Sequence, residues 1–94
     1  MKYGQILATA GVAADMEQNP RFRREVAEAF ARYQRGDWGT LCREDWELND
    51  QSLTDGNRIL AAYDACCGRI WIITEAEDDD GNRAATTVLY PSEY

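Results

Sequence analysis

The spacing of apolar positions changes once along the chain, near residue 56. Between Asn19 and Arg35 it is helical: Phe22, Val26, Ala29, Phe30 and Tyr33 share one face, and Arg24, Glu28 and Arg32 lie in i,i+4 register on the other. Asn19-Pro20 joins an N-cap side chain to a proline suited to the first turn, and Gly36 supplies a left-handed stop. These signals predict a helix over Asn19–Arg35. Upstream, Gln5–Thr9 reads as a short strand or the start of a helix, and Gly11-Val12 leads into a helical stretch over Ala13–Glu17. Downstream, Gly36-Asp37-Trp38-Gly39 is a turn. Thr40 then reads as the cap of a helix reaching about Leu53, with Leu41, Leu48 and Leu53 among its apolar contacts and Asp55-Gly56 closing it.

From Asn57 the period is 2. Asn57–Asp64, Arg69–Glu75 (RIWIITE) and Arg83–Tyr90 (RAATTVLY) read as strands, linked by Cys66-Cys67-Gly68 and by Asp78-Asp79-Asp80-Gly81-Asn82. The expected fold class is α+β: two to three N-terminal helices packed on a C-terminal three-stranded antiparallel β-meander, with or without a short N-terminal strand. Trp71 and Ile73 point away from Ile70 and Ile72. If the Trp71–Ile73 face is uncovered, it is an apolar patch that needs a partner.

Composition narrows the chemistry. The chain has 94 residues (10.7 kDa), which predicts one domain over 1–94, and it contains no histidine. That excludes Ser-His-Asp and Cys-His catalysis and every histidine-bearing metal site. The three cysteines, Cys42, Cys66 and Cys67, are an odd set without framework spacing, which points to a reducing compartment and away from structural zinc. No apolar run approaches the roughly 20 residues of a membrane span, and the opening MKYGQILATAG does not read as a signal peptide. The expectation is a cytoplasmic protein with no membrane association.

Charge is uneven. Met1–Gly36 carries six basic and four acidic residues, net +2, whereas Asp37–Tyr94 carries four basic and thirteen acidic, net −9. The acidic part should repel nucleic acid and membranes and be drawn to a basic protein surface. Direct nucleic-acid contact is therefore not expected; the one surface suited to it is the Arg21, Arg24, Arg32 and Arg35 side of the long helix.

The aspartate run invites a calcium reading. Aligning Gly81 with the sixth position of an EF-hand loop puts Ala76 first and Thr87 twelfth, so two essential carboxylates are missing. A solvated hairpin tip fits better. Asn19-Pro20-Arg21-Phe22 is similar to the tetrapeptide of amino-methyltransferases, but no glycine-rich strand–helix turn accompanies it, and helix capping explains the same residues. Asp45 with Asp50 is a conceivable carboxylate pair, in a chain too small to offer much of a cleft. We therefore expect no enzyme, no catalytic residue, no metal and no cofactor. The residues expected to bind a partner are Glu75, Glu77, Asp78, Asp79 and Asp80, with Glu44, Asp45 and Glu47 as a second acidic patch. Trp38 or Trp71 is the aromatic anchor, although a tryptophan on a glycine-flanked turn also suits the core.

Several segments together resemble one family. They are ATAGV at Ala8–Val12 with Met16, GDWG at Gly36–Gly39, the pairs Glu44-Asp45 and Asn49-Asp50, and Gly56-x-Arg58-Ile59. Tyr63, IWIITE at Ile70–Glu75, Thr86-Thr87 and the closing Tyr90-Pro91-Ser92-Glu93-Tyr94 complete the pattern. The chain is similar across nearly its whole length to small proteins of bacteria, phages and plasmids labelled "plasmid-related", or in places a type I restriction enzyme methylation subunit. The Asp78–Asp80 run and the adjacent cysteines depart from that pattern. Mobile elements carry small acidic inhibitors of host defence, so the resemblance implies an anti-CRISPR or anti-restriction inhibitor. Its partner would be a nuclease or effector protein with a basic surface in a bacterial host cell. The alternative is a self-associating structural or regulatory subunit without a nuclease target, so that the chain is a monomer or a homodimer.

Overall fold

The computed structural model describes every residue, Met1–Tyr94. Its elements are β1 (Gln5–Ala8), α1 (Ala10–Gln18), α2 (Pro20–Gln34), α3 (Arg43–Asp55), β2 (Ile59–Ala65), β3 (Gly68–Thr74), β4 (Ala85–Leu89) and a closing 3-10 turn (Pro91–Glu93). α2 follows its local signals. The Asn19 carboxamide oxygen accepts the N–H groups of Arg21 and Phe22, Pro20 opens the first turn, and Gly36 takes a left-handed φ of 81° beyond the end. Phe22, Val26, Ala29 and Tyr33 are buried along its inner face.

The α+β class holds, but the sheet is not a three-stranded meander. It is four-stranded and mixed, in the order β1-β4-β3-β2, with β1 running parallel to β4 from Gln5 opposite Ala85 to Ala8 opposite Val88. Nor are the helices all N-terminal, because β1 precedes them and the 3-10 turn follows β4. The apolar run at Ile6–Ala8 settles as a strand because β4 offers it a free ladder, and α1 starts at Ala10 rather than Ala13.

α3 also departs from expectation. Thr40 is not its cap: its hydroxyl donates to Ala62 O at 3.3 Å beside its N–H at 2.8 Å, and the helix begins at Arg43 behind Cys42, whose side chain makes no capping bond. Leu48 and Leu53, expected as packing contacts, remain 59% and 42% exposed, because α3 lies along the rim of the sheet instead of across it. Asn49 and Ser52 are its buried residues.

One sheet face meets α1 and α2. Ile59, Ala61, Tyr63, Ile70, Ile72 and Val88 pack there against Val12, Phe22, Val26, Ala29, Tyr33 and Trp38. A chain of hydroxyls crosses this layer: Tyr33 to Thr74 (2.5 Å), Thr74 to Thr86 (2.8 Å), and Thr86 to the Tyr3 carbonyl (2.7 Å). Thr86 spends its proton on that carbonyl, so Thr74 must donate to Thr86 and Tyr33 to Thr74. Burial pushes the Tyr33 phenol up to about 12, which keeps it protonated in that role.

The opposite face carries Leu60, Ala62, Trp71, Ile73, Thr87 and Leu89. It is not bare. Tyr94 sits edge-on to Trp71 with ring centroids 5.7 Å apart, and the Arg58 guanidinium lies 5.4 Å from the Tyr94 ring centre. Ile73 and Leu89 are consequently 4% and 5% exposed.

Candidate partner-binding surface

The β3–β4 connection is an ordered protrusion. The Asp78 N–H donates to Asn82 O (2.8 Å), and the Gly81 N–H to Asp78 O (3.0 Å). One Asp78 carboxylate oxygen accepts the N–H groups of Asp80 and Asn82, each at 2.9 Å. Asp78 is thus the internal organiser of the loop, and Asp79 and Asp80 are exposed at its tip. Gly81 supplies the left-handed turn residue at φ 76°.

Arg83 holds this protrusion in place. Its side chain is buried, with the residue 3% exposed, and its guanidinium donates to three backbone carbonyls: Asn57 (2.9 Å), Glu75 (3.0 Å) and Ser52 (3.0 Å). The Ser52 carbonyl belongs to the last turn of α3, where the helix dipole favours a cation. The Glu77 N–H adds a bond to Gly56 O at 2.8 Å. The loop is therefore bound to the C-terminal end of α3. α3 rises about 18 Å over its thirteen residues and carries Glu44, Asp45, Glu47, Asp50 and Asp55, all exposed. On a helical wheel Glu44 and Glu47 fall on the side away from the buried Asn49 and Ser52, whereas Asp55 lies beside Ser52, one residue before the Gly56 to which the loop is bonded. Helix and loop together form one acidic strip that ends in Glu77, Asp78, Asp79 and Asp80.

Most of these carboxylates have no internal counter-ion. The ion pairs of the molecule are Arg21–Glu25, Arg32–Asp37, Arg43–Glu47 and Arg69–Asp64. Only Glu47 belongs both to a pair and to the strip, and its pair is exposed at 90% and 65% for the two side chains, where screening leaves little attraction.

Three expected residues lie elsewhere. Trp38 cannot be a surface anchor: it is 1% exposed, packs edge-on to Tyr33 at 5.2 Å, and donates its indole N–H to Asp50 at 2.8 Å. A turn between two glycines let the indole fold inward. Trp71 is half-buried under Tyr94, so it offers only part of its ring. Glu75 is separated from the loop tip and lines a shallow hollow on the outer sheet face with Arg58, Thr87 and Tyr94.

Asp45 and Asp50 are not brought together as an acid pair. Asp45 lines an open hollow of about 300 Å³ with Leu41, Asn49, Arg58 and Leu60, whereas Asp50 is engaged by the Trp38 indole. The Gly36–Gly39 turn is itself a structural joint. Asp37 receives two bonds from Arg32 (2.7 and 3.2 Å) and the Gly39 N–H (3.1 Å). The Arg32 guanidinium, then burial and the Gly39 amide acting in opposite senses, leave the Asp37 carboxyl below its ordinary value.

Sequence reading missed Arg83 and Glu93. Arg83 opens a strand of otherwise uncharged residues, a signal that its head group is satisfied internally. Glu93 stands three residues after Tyr90, a capping-box spacing, and its carboxylate accepts the Tyr90 N–H (3.1 Å). It also accepts the Thr9 hydroxyl (2.6 Å) and the Gly11 N–H (3.0 Å) at the start of α1. The Thr9 hydroxyl is the chief reason its carboxyl is held below the usual range. Cys66 and Cys67 occupy the exposed turn between β2 and β3, and the neighbouring Glu25 carboxylate pushes the Cys66 thiol up to about 11.

No helix is long and apolar enough to cross a membrane. Compared with family models, curated proteins and solved structures, the chain matches none.

Proposed function

We propose that this chain is a small acidic inhibitor or accessory protein of a mobile genetic element, acting by direct contact with a host defence nuclease complex of the CRISPR or restriction type. The observation that carries the reading is the strip of carboxylates along α3 and the β3–β4 loop, exposed and almost free of internal cations. A fixed array of negative charge on a preorganised loop is drawn to a basic groove and loses little conformational freedom on binding. Asp79, Asp80 and Glu77 make the leading contacts, Glu44 and Glu47 extend them along the helix, and Asp78 holds the loop in shape. The resemblance to plasmid- and phage-borne proteins supports the choice of a nuclease as the target. The contact is to protein, not to nucleic acid, and takes place in the cytoplasm of the bacterial host.

Purified CRISPR effector and restriction complexes provide the test. The wild-type chain should co-migrate with one of them and slow its cleavage of DNA, and a variant with Asp79→Lys and Asp80→Lys should be weaker by about tenfold or more. Failure of every complex to bind, or equal potency of the charge-reversed variant, contradicts the reading.

A further inference from the structure

The two edges of the sheet are treated differently. At the β2 edge, the Asn49 carboxamide donates to Leu60 O (2.8 Å) and accepts the Leu60 N–H (3.4 Å), as a neighbouring strand would. The Ala62 N–H reaches Trp38 O (3.3 Å), and Ala62 O takes the Thr40 N–H (2.8 Å). That edge is closed by the chain's own turn and helix.

The β1 edge is open. The Gln5 N–H donates to Ala84 O and the Thr9 N–H to Val88 O, so odd positions face β4, and Ile6 and Ala8 direct their N–H and C=O groups outward. Every residue of β1 is exposed, with Ile6 at 53% and Leu7 at 40%. Beside it runs a groove of about 270 Å³ whose walls include Ile6, Met16, Val26, Ala27 and Phe30. An apolar strand edge next to an apolar groove is a template for a further strand.

We infer that β1 pairs with β1 of a second copy, antiparallel about a two-fold axis through Leu7, joining two sheets into one of eight strands. In this register Ile6 of each copy faces Ala8 of the other and exchanges both backbone hydrogen bonds, four in all. Leu7 meets Leu7 in the non-hydrogen-bonded position on the axis. The arrangement is self-complementary: the outward-facing pairs match large against small, and the two grooves lie side by side. Charge points to the same occupant. Each copy carries net −7, yet the only charged residue lining this groove is Arg23, and α3 with its carboxylates flanks β2 at the far edge of the sheet. This is the edge at which two such acidic molecules can approach without setting acid against acid, and it leaves both acidic strips free. The inference does not depend on the proposed nuclease contact.

The test is a mass measurement over a concentration series together with a register-specific cross-link. A four-residue strand and a short groove make a small interface, so dimerisation is expected to be weak, in the range of about 10–100 µM. Sedimentation equilibrium should show the mass rising from one chain to two. The exposed substitution Leu7→Lys should hold the chain monomeric without altering its circular dichroism. With Cys42, Cys66 and Cys67 replaced by Ser, Leu7→Cys should form a disulfide-linked dimer on mild oxidation, because the paired Cα atoms stand about 4.5 Å apart. Ile6→Cys, offset from its own copy beyond disulfide reach, should not. A chain that stays monomeric at several hundred micromolar overturns the inference and leaves the edge to a strand of another protein. A dimer indifferent to Leu7→Lys, or cross-linked equally well from position 6, overturns it too.

Discussion

A buried arginine, Arg83, ties the acidic loop to α3, with the Glu77 N–H bond to Gly56 O beside it. Arg83 donates to three carbonyls from three different segments, and removing its head group takes a donor from each and leaves its buried site unfilled. Arg83→Met should cost about 2–4 kcal/mol in urea unfolding and loosen hydrogen-exchange protection at Glu77 and Gly81 before the rest of the sheet. The hydroxyl chain is a second such point. Thr86→Val strands the Tyr3 carbonyl and the Thr74 proton, a loss of about 1–3 kcal/mol measured the same way. Asp37 makes stability depend on pH. Its folded pKa lies below the unfolded value near 3.9, so its contribution is complete above that value and disappears as pH falls through the folded one. Asp37→Asn should therefore be less stable than the parent at pH 7, with the two unfolding curves converging towards about pH 2. A constant difference across that range contradicts the assignment.

Among the elements, α2 was legible because every signal it needs is local: cap, first-turn proline, apolar stripe and terminal glycine fall within eighteen residues. The three later strands were legible for the same reason, since alternation and turn residues lie side by side in the sequence. What escaped was decided by distant contacts. β1 acquires its state from β4, about eighty positions away, and parallel pairing leaves no turn signature between partners. Thr40 looked like a cap, but its hydroxyl and N–H both turn to Ala62 O, and Trp38, readable as core or as anchor, is enclosed by Asp50 and Tyr33. The acidic residues were identifiable from composition, whereas their organisation into a strip, with Glu75 set apart, depends on Arg83 binding loop to helix. The missing cap of α3 has a direct consequence. Cys42 is exposed and already extended at φ −66°, ψ 163°, so Cys42→Ser can place a hydroxyl on the first-turn N–H groups. It should raise stability by about 0.5–1 kcal/mol, read as a rise of a few degrees in Tm. No change would mean that the first turn is held by something other than its cap.

At the scale of the whole molecule, the sheet order separates two surfaces. β2, closed by α3 and the Trp38 turn, stands at the acidic side, and β1, apolar and open, stands at the other. Net −7 is thus not a uniform coat. It is concentrated where the backbone needs nothing further, leaving the unsatisfied edge nearly uncharged. The apolar face under Tyr94 and Arg58 is largely covered by the chain itself, which leaves charge as the main attraction the proposed contact has to offer. The measurement that tests this most directly is the dissociation constant of the chain with the nuclease complex proposed as its target, between about 50 and about 300 mM salt. The account predicts progressive weakening over that range, with a slope markedly reduced in the Asp79→Lys, Asp80→Lys variant. An affinity that stays level as salt rises, in wild type and variant alike, would show that the acidic strip is not what binds.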